Sequence, residues 1–106
     1  MPGYTRTMKS TLSVDDVVVA SSRQVSSRLG DDTVVLELDK GIYFELDPVG
    51  SRIWELVTEP RRVTEIRDTI VGEYEVEPDR CETDLLALLA DLLSRGLVEV
   101  VDAQAP

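Results

Sequence analysis

The hydrophobic and polar positions of this chain change their spacing about halfway along it. Over residues 17–46, apolar side chains come in short runs or alternate with polar ones, which is typical of strands. Over residues 47–95 they recur every three or four positions, which is typical of amphipathic helices. The pattern therefore predicts an α+β chain in which the strands precede the helices.

Three strands are predicted in the first half. Val17–Val19 form a β-branched run, and the polar segment 24–32 that follows is interpreted as a loop. The segments Thr33–Leu38 and Ile42–Leu46 are predicted to form a hairpin across Gly41, because a three-residue connection needs a residue that accepts a positive φ. Together these strands predict a three-stranded antiparallel sheet.

Alternation along the hairpin predicts which face of this sheet is buried. Glu37, Tyr43 and Glu45 would lie on the solvent face, and helices would cover the other face. The predicted core face carries Val34, Leu36, Leu38, Ile42, Phe44 and Leu46.

Three helices and a short final strand are predicted in the second half. Asp47 as the N-cap and Pro48 at the first helical position begin a helix that Pro60 would stop. A second helix covers residues 63–74, and residues 97–101 are predicted to form a short final strand or an extended tail. The third helix is predicted to begin at a capping box, Asp79 to Glu82, and to end at Arg95 before Gly96.

The third helix carries more apolar surface than one packing partner requires. Its apolar arc spans about 200°, whereas a surface helix usually shows a stripe somewhat over 100°. Two explanations stay open: the helix is clamped between the sheet and the other helices, or one flank of it lines an open groove. The arc consists of Cys81, Leu85, Leu86, Leu88, Leu89, Ala90, Leu92 and Leu93.

The strand Ile42–Leu46 is predicted to be an edge with little protection. Natural edge strands usually carry Lys, Pro or a bulge, and here only Glu45 serves that purpose. An open edge can pair with an extended peptide from another chain. The alternative is that the first or the last strand covers this edge.

Composition narrows the classes of function. The chain has 106 residues, a net charge of −10, no histidine and a single cysteine. This predicts one domain that avoids nucleic acid and anionic membranes, has no metal site or cofactor, and works in a reducing cytoplasm. The absence of histidine also argues against a nucleophile–base pair, and therefore against an enzyme.

Three other residue types are given structural roles. Trp54 is predicted to be a core residue, and Cys81 an ordinary half-buried thiol. Asp84 and Asp91 are predicted to lie on a solvated helix face.

The segment Gly41–Leu56 resembles the signature of the PqqD-like proteins, the peptide recognition elements of ribosomally made, modified peptides (RiPPs). It has the sequence GIYFELDPVGSRIWEL, and the family signature is Gly-x-Tyr-Tyr-x-Leu-Asn-x-x-Gly-x-x-Ile-Trp-x-Leu. The third helix is similar to the family's pattern there as well. Asp47 replaces the common Asn and Leu88 replaces the common Phe. The resemblance covers residues 17–101, and among discrete proteins it is greatest to the leader-recognition subunit of lasso-peptide biosynthesis.

The resemblance implies a winged helix-turn-helix-like fold over residues 16–102. Residues 1–15 are predicted to form a flexible arm, because the first dozen are rich in Ser and Thr and lack a periodic apolar pattern, and residues 103–106 are predicted to form a tail. In that family a precursor's leader segment, with Tyr, Pro and Leu as typical anchors, adds as an antiparallel strand beside the third strand and against the third helix. Asp84 would meet the leader or the helix dipole. The residues implied for leader binding are Ile42, Tyr43, Phe44, Glu45, Leu46, Asp84, Leu85, Leu88, Leu89 and Leu92.

The resemblance also implies partners. The protein would present the leader to a separate, transglutaminase-like leader protease and to an ATP-dependent cyclase, as a non-catalytic adaptor. Two alternatives stay open: a peptide chaperone of the PqqD type for a radical S-adenosylmethionine enzyme, and a winged-helix DNA-binding protein. Electrostatics disfavour the second, because the segment 63–74 offers only Arg67 against three acidic residues.

Overall fold

A computed structural model describes residues 4–7 and 12–103, with side chains over residues 12–101. The predicted arm therefore falls only partly on described residues, and most of the predicted tail lies outside them. In chain order the elements are β1 (Tyr4–Thr7), β2 (Val17–Ala20), β3 (Gln24–Leu29), β4 (Asp32–Glu37), β5 (Ile42–Leu46), α1 (Pro48–Leu56), β6 (Arg61–Arg62), α2 (Val63–Glu73), α3 (Pro78–Ser94) and β7 (Val98–Ala103).

The strands form two antiparallel sheets. One has three strands in the order β3-β4-β5, and the other has four strands in the order β1-β7-β2-β6. The predicted α+β class, the three-stranded antiparallel sheet, the three helices and the C-terminal strand are confirmed. The arrangement resembles a winged helix-turn-helix only loosely.

The prediction of a loop over residues 24–32 is wrong, since residues 24–29 form β3. Val17–Ala20 belongs to the other sheet, where it pairs with β7 and β6. The sequence signal of β3 is weak because five of its six residues are exposed, so that no apolar alternation marks it. Gly30, with a φ of 67°, makes the tight turn between β3 and β4.

The face predicted to be buried on β4 was also wrong. Thr33, Val35 and Glu37 are the buried residues, and Leu38 is exposed. The hairpin connection has four residues rather than three, so Glu37 rather than Leu38 lies opposite Ile42. A shift of one residue moves every side chain of a strand to the other face. Glu37 tolerates burial because its carboxylate accepts a hydrogen bond from the backbone N–H of Lys40, at 2.6 Å.

Helix α1 begins where the sequence predicts. The Oδ1 atom of Asp47 accepts a hydrogen bond from the backbone N–H of Gly50 at 2.7 Å, and Pro48 occupies the first helical turn. Because Asp47 directly follows β5, this cap fixes the angle at which the chain leaves the sheet. Trp54 is 4% exposed and packs in the core, as predicted.

Helix α3 begins earlier than predicted. Its N-cap is Glu77 with Pro78 next, and the capping box that starts at Asp79 does not form. Proline fits the first turn, where its missing N–H would have no partner. Glu82 instead accepts a hydrogen bond from Nη1 of Arg67 at 2.8 Å, which ties α3 to α2. The buried stripe of α3 consists of Cys81, Leu85, Leu89 and Leu92.

An ion pair between α1 and α2 makes stability depend on pH. The Arg52 guanidinium donates hydrogen bonds to both carboxylate oxygens of Glu73, each at 2.8 Å, and it holds the pKa of Glu73 below its usual value. A carboxyl whose pKa is lower in the folded state stabilises the fold above its unfolded pKa, and this contribution is lost as the pH falls through the folded pKa.

We therefore expect Arg52→Gln to lower the urea midpoint of unfolding at about pH 7 and to have a smaller effect at about pH 3. Circular dichroism during urea unfolding at both pH values measures this. Glu73→Gln should behave in the same way. An equal loss at both pH values would show that Arg52 acts through packing rather than through charge.

Candidate functional site

A cavity of about 530 Å³ lies between the end of β5 and the beginning of α3. Its apolar lining includes Leu46 from β5, Ile53 from α1, Ile70 from α2 and Leu85 from α3, all of them buried. All three helices therefore contribute to one apolar cavity beside the sheet. Its size suits one or two apolar side chains of a ligand.

The edge of β5 borders this cavity. Among the described residues, β5 pairs with β4 on one side and with no strand on the other. The predicted exposed edge is therefore present, and neither β2 nor β7 covers it. Phe44 and Leu46 line the cavity, whereas Tyr43 is 68% exposed on the opposite face of the sheet.

The leucines of α3 divide between the core and the cavity. Leu85 and Leu88 line the cavity, and Leu88 is only half-buried. Leu89 and Leu92 are fully buried and do not line it. The structure thus accommodates both explanations of the wide apolar arc, since one stripe packs in the core and a flank faces the cleft.

Several cavity residues had no place in the predicted site. Val49, Ile53 and Ile70 reach it from α1 and α2, and Val76 reaches it from the connection between α2 and α3. Val76 is 40% exposed and stands alone between glutamates, so no periodic pattern marked it. Ligands in the cleft would contact residues from β5, from all three helices and from the connection between α2 and α3.

Charged groups stand at the mouth of the cavity. Asp84, predicted as a site residue, lines it together with Arg80, and the Nε of Arg80 lies 3.7 Å from Oδ2 of Asp84. Both side chains are largely exposed. Farther along the cleft, the guanidinium of Arg95 lies 4.9 Å from the centre of the Phe44 ring, a cation–π contact.

Cys81 lies at the wall of the cavity, and its thiol is neutral near pH 7. Burial raises the pKa of Cys81, and the nearby carboxylate of Asp84 raises it further. A neutral, 8% exposed thiol is a weak nucleophile, which agrees with its predicted structural role. Cys81 therefore contributes apolar surface to the cleft.

The described residues show neither a metal-binding cluster nor a membrane-spanning helix. No group of three or more His, Cys, Asp or Glu side chains there could hold a metal ion. Within the same residues, no helix combines the length and the apolar character needed to cross a membrane.

Comparisons with known proteins give independent findings. The profile of the family described as coenzyme PQQ synthesis protein D (PqqD) matches residues 32–98. The solved structure of TbiB1 in complex with the TbiA(beta) leader peptide is similar, with a TM-score of 0.70 and 40% sequence identity, covering 83% of this chain and 99% of that one. No curated protein gave a significant match.

A second solved structure, lasso peptide synthetase B1 complexed with the leader peptide, has a TM-score of 0.68 and 21% identity. The match covers 76% of this chain and 95% of that one, and at this identity it shows the shared fold alone. The profile match includes β5, α1, α2 and all of α3, and therefore the principal elements that form the cleft.

Proposed function

Since this chain belongs to the PqqD family, we propose that it binds the leader segment of a ribosomally made precursor peptide, of the lasso class, in the cleft between β5 and α3. The leader would add to β5 as an antiparallel strand and place apolar side chains in the cavity. The observation that carries the proposal is the direct contact of an open strand edge with an apolar cavity.

The two parts of the cleft have complementary roles. Main-chain hydrogen bonds along β5 provide affinity for any extended peptide, and the cavity selects peptides with an apolar side chain at the right position. The strand side supplies the backbone of residues 42–46, and the helix side supplies Leu85 and Leu88. The buried Leu89 and Leu92 support that wall from behind.

We further propose that the protein is a non-catalytic cytoplasmic adaptor. It would hold the leader so that a separate, transglutaminase-like leader protease and an ATP-dependent cyclase meet the precursor at a raised effective concentration. The low nucleophilicity of the Cys81 thiol supports a binding role. The recognition domain would comprise residues 16–102.

The family match also supports a second candidate, a peptide chaperone for a radical S-adenosylmethionine enzyme. Both candidates use the same cleft and differ in the partner enzyme. The 40% identity with TbiB1, which is known in complex with a leader peptide, favours the lasso class.

The proposal is tested by fluorescence anisotropy with labelled peptide and labelled duplex DNA. We expect a lasso-class leader peptide that carries Tyr, Pro and Leu anchors to bind with a Kd in the micromolar range or tighter, because main-chain pairing along β5 and an apolar anchor in the cavity both contribute. A duplex should not bind at physiological salt, because the net charge of −10 repels phosphates. Binding of DNA without binding of leader would contradict the proposal.

A further inference from the structure

One end of the cleft is strongly acidic. The segment 73–84, which leads into α3, contains six acidic residues and a single cation, Arg80. Val76, Arg80, Cys81 and Asp84 of this segment line the cavity, and Glu75 and Glu77 flank Val76 in the sequence. Glu73 and Glu82 are engaged by arginines of α1 and α2. Glu75, Glu77 and Asp79 are exposed and form no ion pair within the described part of the chain. We define these last three residues as the acidic rim.

The other end of the cleft has no such excess of negative charge. Arg95 follows α3 and lies over the ring of Phe44, and its Nε is 3.0 Å from Oδ1 of Asp91, so that this pair is neutral overall. The beginning of α3 borders the end of β5, and the residue after α3 borders the middle of β5. Strand β5 and helix α3 therefore run in opposite directions along the cleft.

This geometry gives an added strand a definite polarity. Antiparallel pairing is the slightly more stable arrangement for two strands, and β4 already pairs with β5 in that way. A peptide antiparallel to β5 runs in the same direction as α3. Its N-terminal part would therefore lie beside the acidic rim, and its C-terminal part would lie beside Arg95.

From this charge distribution we propose that the protein selects leaders with a lysine or arginine on the N-terminal side of the apolar anchor, the leader side chain that occupies the cavity. This inference rests on the proposed function. The apolar anchor fills the cavity beside Leu46 and Leu88, and the preceding residues of an extended chain continue past Val76 towards the acidic rim. Each exposed charge of this kind contributes little, so the three carboxylates are neutralised together in the test below.

The experiment starts from peptides chosen by the protein itself. Random linear peptides are selected by mRNA display against the full chain, and one strong binder is synthesised in two versions that differ only in the positions of one Lys and one Gln. The Lys precedes the apolar anchor in the first version and follows it in the second. Both are measured by fluorescence anisotropy at about 50 mM and about 500 mM NaCl.

We expect the version with the preceding Lys to bind about fivefold more tightly at low salt, and the two versions to become nearly equal at high salt. Neutralising the acidic rim in the variant Glu75→Gln, Glu77→Gln, Asp79→Asn should abolish the difference. A control variant with the same change in net charge, Asp15→Asn, Glu59→Gln, Asp68→Asn, alters exposed carboxylates away from the cavity lining and should keep the difference.

Equal affinity of the two versions, the opposite order, or a preference that survives neutralisation of the acidic rim would overturn the inference. If the selected peptides still require the edge of β5, as judged by proline substitutions there, the proposed function stands in each of those cases. If no selected peptide depends on β5, the proposed function fails and this inference fails with it.

Discussion

Replacing Leu88 by Asp is expected to leave the protein folded and to weaken its affinity for leader peptide by about thirtyfold or more. Leu88 lines the cavity and is half-buried, so a carboxylate at this position remains hydrated in the free protein. When an apolar anchor occupies the cavity, the same carboxylate loses water without gaining a partner, which costs roughly 2 kcal/mol or more. Anisotropy titration gives the affinity, and circular dichroism gives the thermal midpoint.

Two variants on the same helix make this result specific. Ala87→Asp introduces the same charge at an exposed neighbouring position and should bind leader within about twofold of the wild type. Leu92→Asp introduces it at a fully buried position and should prevent folding. A folded Leu88→Asp protein with unchanged affinity would show that the leader does not use this wall of the cleft.

Proline substitutions in β5 are expected to distinguish the role of its open edge, in leader binding, from the role of the edge that pairs with β4, in stability. In an antiparallel pair, successive residues direct their N–H groups to opposite sides of the strand. Of Tyr43→Pro and Phe44→Pro, one therefore removes a donor from the open edge and the other removes a hydrogen bond to β4. The ring also obstructs a neighbouring strand on the side where the N–H is missing.

We expect one of these two variants to keep its thermal midpoint within a few degrees and to bind leader about a hundredfold more weakly, because a main-chain bond and close approach are both lost. The other should be clearly less stable. Tyr43→Val and Phe44→Leu keep the N–H groups and serve as controls for side-chain size. If Tyr43→Pro and Phe44→Pro both fold and both bind leader with wild-type affinity, strand addition to β5 is contradicted.

The elements that the sequence predicts well are those with local chemical signals. Asp47 and Pro48 mark the start of α1 because a capping side chain and a missing N–H act within one turn. Gly41, with a φ of 70°, marks the hairpin because few other residues accept that conformation. The open edge of β5 is predictable from the order of the strands and the scarcity of protecting residues.

The features that were missed depend on contacts between distant segments. The exposed strand β3 is held by pairing with β4 and by an ion pair between Arg28 and Glu55, at 2.7 Å, which no local pattern reveals. The buried face of β4 depends on one residue in the length of the hairpin loop. Val76 reaches the cavity only because α2 and α3 pack side by side.

For the candidate site, the sequence indicates the strand and the helix that form the two walls, but not which of their residues face the cavity and which are buried in the core. The apolar arc of α3 contains residues of both kinds, and helical spacing does not distinguish Leu88 at the cavity from the buried Leu89. Only the positions of α1 and α2, which fill one side of the arc, make that distinction. The contributions of Ile53 and Ile70 to the cavity have the same origin.

The central claim is that the leader becomes a strand beside β5, and hydrogen–deuterium exchange of backbone amides tests it most directly. The amides at the open edge have no strand partner among the described residues, so they should exchange quickly in the free protein. Saturating leader peptide should slow exchange within residues 42–46 by about tenfold or more, with smaller changes at the start of α3. Unchanged exchange in β5 while the peptide is bound would contradict the account.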